Sequence, residues 1–129
     1  MFNLIYRDGT RENAGRYETL EKASASTAFE CGQAVALSGG KASEATGAVT
    51  PYGIVAADSP ADEGTVVVLK VEHDMVFSVP SGATGLVKGD KCALAAGGKL
   101  GANGADGGAT IVDVCGAAVE GDRVEVRFE

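Results

Sequence analysis

From Cys31 onward, short runs of Val, Leu, Ile and Ala are bounded by Gly, Ser, Asp and Asn, which is the pattern of strands separated by tight turns. The runs fall at residues 33–37, 52–56, 65–71, 75–79, 91–95, 110–114 and 122–128. The run at 65–71 is β-branched almost throughout, so it reads as the strongest strand. The last run alternates strictly, with Val124, Val126 and Phe128 on one face and Arg123, Glu125 and Arg127 on the other. That alternation predicts a half-exposed antiparallel strand. Before Cys31 the pattern changes: Leu4, Ile5 and Tyr6 lead into an Asp8-Gly9 turn signal, and residues 18–29 fit a short helix weakened by Ser24, Ser26 and Thr27.

Two segments of the chain can be laid over each other. Gly32-Gln33-Ala34-Val35-Ala36-Leu37-Ser38-Gly39-Gly40-Lys41 matches Gly89-Asp90-Lys91-Cys92-Ala93-Leu94-Ala95-Ala96-Gly97-Gly98-Lys99 with one inserted residue, and the strand after Gly64 matches the strand after Gly121. Both ends of the match are offset by 57 residues, which points to an internal duplication covering about 32–71 and 89–128. Each copy has a Gly-polar turn before a strand and a Gly-Gly-Lys hairpin tip. Two such units are expected to pair edge to edge as a small barrel or β-tulip-like body, which would hide their strand edges. The expected organisation is an all-β domain over 31–129 preceded by an N-terminal arm over 1–30, with residues 75–80 bridging the copies.

Composition sharpens this picture. The 129 residues suit one core, and with few aromatics and no tryptophan that core is aliphatic. Nineteen glycines favour many turns. A formal charge of −7 argues against a groove that neutralises nucleic-acid phosphates. No apolar stretch is long enough for a membrane span, and the first residues lack the order of a signal peptide, so a soluble, unsecreted protein is expected. Cys31, Cys92 and Cys115 are too few and too scattered for a disulfide framework, and they are expected as buried free thiols.

Candidate chemistry is sparse. His73, the single histidine, sits between Glu72 and Asp74 at a strand end and reads as a solvated turn residue. Residues 101–108 lack both the Lys-Ser/Thr of a phosphate loop and the ligand ladder of a calcium loop, so a flexible loop tip is expected. Biotinyl and lipoyl carrier domains present a lysine at a hairpin tip, and Lys41 and Lys99 follow paired glycines here, but without the residues that flank the carrier lysine. No catalytic, cofactor or metal residue is nominated, and a non-enzymatic protein is expected.

The order Gly-Gln-x-Val, Gly53-Ile54-Val55, Gly64 before a Val-rich strand, Phe77-Ser78-Val79-Pro80, Gly89-Asp90-Lys91 and the terminal Gly-Asp-Arg-Val-Glu-Val strand resembles the capsid decoration (cement) proteins of tailed bacteriophages. The resemblance covers about residues 31–129. It implies a protein made in the bacterial host cytoplasm that binds the major capsid protein on the outer surface of the virion, often as a homotrimer, without nucleic acid, membrane or cofactor. The first 30 residues depart from that family's opening, and the first 17 carry three of the seven aromatics and three of the five arginines. Phe2, Leu4, Tyr6, Arg7, Arg11 and Tyr17 are therefore the expected interface residues, because aromatic and Arg side chains anchor protein interfaces. A surface- or carbohydrate-binding β module, of head-fibre or lectin-like type, is the alternative.

Overall fold

The structure, a computed structural model, describes residues 1–7, 16–103, 107–114 and 119–128. It is all-β among those residues, with eleven strands in two antiparallel sheets. Sheet order is easiest to follow through the duplication. The first unit contains β2 (Tyr17–Glu21), β3 (Ala34–Ser38), β4 (Lys41–Glu44), β5 (Gly53–Val55) and β6 (Thr65–Lys70), ordered β2-β6-β5-β3-β4. The second contains β7 (Met75–Pro80), β8 (Lys91–Ala95), β9 (Lys99–Asn103), β10 (Ala109–Val114) and β11 (Arg123–Phe128), ordered β7-β11-β10-β8-β9. The two orders are the same once each strand is replaced by its counterpart. β1 (Asn3–Arg7) is the additional strand, antiparallel to β7 at the edge of the second sheet.

Register follows the sequence offset closely. Gly53 faces Lys70 and Ile54 faces Leu69 in the first unit, and 57 residues later Thr110 faces Arg127 and Ile111 faces Val126. This mapping corrects the expected bridge: residues 75–80 form β7, which takes the place in its sheet that β2 takes in the first. It also corrects the arm and the helix. Residues 17–21 are a strand because their pairing with β6 supplies every second backbone group with a partner, which outweighs a weak local helix preference.

The Gly-polar turns are the same device used three times. At residues 30–33, 87–90 and 119–122 the fourth residue's N–H donates to the first residue's carbonyl, at 3.1, 3.1 and 3.0 Å. Its side-chain oxygen in turn accepts from the first residue's N–H. The third residue is Gly32, Gly89 or Gly121, with φ of 97°, 96° and 94°, a conformation that side-chain-bearing residues avoid. The hairpin tips differ by the inserted residue. Ser38 faces Lys41 across two glycines at positive φ, whereas Ala95 faces Lys99 across a three-residue loop.

The expected closed barrel is not formed. Each sheet curls until its outer strands approach, but the contact is a single seam. In the first, Ala23 N–H reaches the Ala42 carbonyl at 2.8 Å beside one Lys22–Ala42 bridge. In the second, Gly82 lies so close to the Leu100 carbonyl that a Cβ would sit 2.0 Å from it. A seam without a ladder leaves each sheet open. The larger core joins the units: Met75, Phe77, Val79, Ile111, Val124, Val126 and Phe128 of the second sheet pack with Ala34, Ile54 and Leu69 of the first. The smaller core lies inside the first curl, around Leu20, Phe29, Val35, Ala42, Val55, Val66 and Val68.

Candidate functional site

The residues expected as an interface separate into two groups. Phe2 is only 2% exposed and sets its ring edge-on to Phe128, centroids 5.3 Å apart, and its N–H donates to the Gly32 carbonyl at 2.9 Å. Leu4 is half-buried against the same core. Phe2, just before β1, and Leu4, on it, are therefore core residues, because both pack into the core that joins the two sheets. The side chains of Tyr6 and Arg7 and the whole of Arg11 lie outside the described residues. Tyr17 remains as an exposed aromatic, 62% accessible on the edge strand β2.

Two clefts meet at Tyr17. One, of about 160 Å³, is lined mainly by Phe2, Leu4, Ile54, Leu69 and Phe77 and lies between β1 and the first sheet. The other, of about 230 Å³, is lined by Arg16, Tyr17, Glu18, Tyr52 and Lys70. Its walls are held in place. The Tyr52 hydroxyl donates to Glu18, the Lys70 ammonium stands 5.8 Å from the centre of the Tyr52 ring, and Arg16 pairs with Glu72 at 3.5 Å. The Glu18 carboxylate raises the Tyr52 phenol above its ordinary value, because it accepts from the protonated hydroxyl and repels the phenolate. The arrangement is an aromatic surface ringed by fixed donors and acceptors. Sequence reading missed Tyr52, Glu18 and Lys70 as partners because strand pairing, not spacing, brings them together.

The other candidates are placed as follows. His73 is exposed in the turn between β6 and β7, as expected. Cys92 is buried, and burial, aided by the charge of Asp90, pushes its thiol up. Cys31 corrects the expectation of a buried thiol: it is exposed at the second position of the 30–33 turn, where its N–H donates to Asp58 Oδ1 at 2.8 Å. Cys115 lies outside the described residues. The glycine-rich stretch holds β9 at Lys99–Asn103, and Gly108 packs where a Cβ would meet the Val49 carbonyl at 2.0 Å, so this stretch is not a free loop tip over those positions; residues 104–106 lie outside the described residues. Lys41 and Lys99 each begin a strand instead of capping a hairpin tip, and Lys41 pairs with Glu21 at 3.7 Å. Lys22, by contrast, is buried, and its ammonium donates to the Pro60 carbonyl at 2.8 Å. Among the described residues no three His, Cys, Asp or Glu side chains gather as a metal site. No family model matches the chain, and no curated protein matches it.

Proposed function

We propose that this chain is a non-enzymatic capsid decoration protein that binds the major capsid protein on the outside of an assembled tailed-phage head and braces it. The observation that carries the reading is Tyr17, 62% exposed beside Arg16 on β2 and standing between two clefts. An exposed tyrosine next to an arginine is the composition of an interface anchor, since both residue types are enriched among the side chains that carry interface binding energy. The duplicated body supports it by offering a broad β surface, and copies are expected to associate as trimers on the shell. Co-sedimentation with heads assembled from tailed-phage major capsid protein tests the reading. Wild-type protein should pellet saturably, and Tyr17→Ala should bind at least tenfold more weakly, corresponding to about 1.4 kcal/mol or more. Protein that stays in the supernatant at micromolar concentration overturns it.

A glycan-binding module is the second reading, favoured by the Tyr17 and Tyr52 rings around one polar cleft. Saturable binding on a glycan array, lost in Tyr52→Ala, would select it.

A further inference from the structure

The polar cleft at Tyr17 stands at one end of the first sheet, where β2 begins at Tyr17, β6 ends at Lys70 and Tyr52 precedes β5. Its charges cancel. Arg16 pairs with Glu72, and Tyr52 holds Glu18 at its hydroxyl and Lys70 over its ring. An acidic ligand would meet the Glu18 carboxylate and a basic one the Lys70 ammonium, so neither sign of charge is favoured. A hydroxyl suits both groups, because one oxygen can donate to a carboxylate and accept from an ammonium. The Tyr52 hydroxyl donates to Oε2 of Glu18, which leaves Oε1 to accept from a ligand. Beside these groups the Tyr17 ring is 62% exposed, whereas the Tyr52 ring has Lys70 over it. Tyr17 is thus the platform for an apolar ring face, and Tyr52 fixes the polar groups around it. The cleft volume of about 230 Å³ lies below the roughly 300–1,000 Å³ of sites for drug-sized ligands and suits a single ring.

We infer that this cleft binds one neutral hexopyranose, its apolar face on Tyr17 and its neighbouring hydroxyls shared between Glu18 and Lys70. Such a site rests on the glycan reading of the cleft, not on the capsid one, and narrows it to uncharged sugars. It also divides the two tyrosines by role, one as the contact surface and the other as the brace for Glu18 and Lys70.

The test uses the full chain and amide NMR. The probes are the methyl glycosides of glucose, galactose and mannose, with those of glucuronic acid and glucosamine as charged counterparts. At least one neutral glycoside should shift the Tyr17, Glu18 and Lys70 amides saturably, and bind at least fivefold more tightly than either charged sugar. Tyr17→Ala removes an exposed ring, leaves the fold intact and should weaken that binding at least tenfold. Glu18→Gln leaves an excess cation and should bring the glucuronide to at least the affinity of the neutral sugar. Lys70→Gln should do the same for the glucosaminide. A charged sugar that binds wild-type protein more tightly than every neutral one overturns the assignment and leaves the glycan reading standing. Selectivity unchanged in both glutamine variants, or binding unchanged in Tyr17→Ala, overturns it as well. Cleft amides unmoved by all five sugars also overturn it, and the glycan array then decides the glycan reading by itself.

Discussion

Single side chains in this molecule are decided by partners far away in sequence. Phe2 looks like an exposed anchor at the chain's beginning, yet it meets Phe128 at the other end, and no local pattern announces that meeting. Phe2→Ala should therefore cost about 3–5 kcal/mol of unfolding free energy in urea, whereas Tyr17→Ala should stay within about 0.5 kcal/mol. The thiols offer a second check. Cys31 should alkylate readily in the native protein, and Cys92 only as fast as the protein opens, which peptide mapping after brief iodoacetamide treatment resolves. Tyr52 gives a pH effect with a definite sign. Its phenol is raised in the fold, so its contribution is fully present below the ordinary value of 10.0 and is lost as pH rises through the higher folded value. Tyr52→Phe should lower stability at neutral pH and flatten the alkaline limb, so that the two proteins converge toward pH 11, measured by thermal melts from pH 7 to 11.

At the level of elements, strands built on an unbroken apolar run were legible and charge-rich ones were not. Residues 65–70 and 91–95 fall where their composition puts them. β2 (Tyr-Glu-Thr-Leu-Glu) and β4 (Lys-Ala-Ser-Glu) carry one or two apolar residues each, and tertiary pairing makes them strands. The turns were legible because glycine states the backbone requirement directly. They also separate two kinds of glycine. Gly89 has open space around it and positive φ, so Gly89→Ala should cost only backbone strain, about 1–2 kcal/mol. Gly108 is held against the Val49 carbonyl, so Gly108→Ala must displace main chain and should cost more, about 3 kcal/mol. Urea midpoints of the two variants compare them under one set of conditions. The Tyr17 clefts were only half legible: the aromatic and the arginine stood out, while the fixing partners Glu18, Tyr52 and Lys70 depend on how β2, β5 and β6 align.

For the whole molecule, the duplication was readable from its glycines, but its extent was not, because β2 and β7 share almost no residue types while sharing a position. The cores show why the copies cannot be independent. Ala34, Ile54 and Leu69 of the first unit lie in the core built mainly by the second. Calorimetry should therefore show one unfolding transition, with calorimetric and van't Hoff enthalpies equal; two resolved transitions would contradict this packing. The shared core also bears on ancestry. A lone unit with Ile54 and Leu69 on its outer face would leave an apolar surface bare, and a self-paired dimer is the simplest way to cover it. Joining two copies in one chain replaces the concentration-dependent encounter of such a dimer with a tether, and it frees each half to diverge at the edges that no longer need to match.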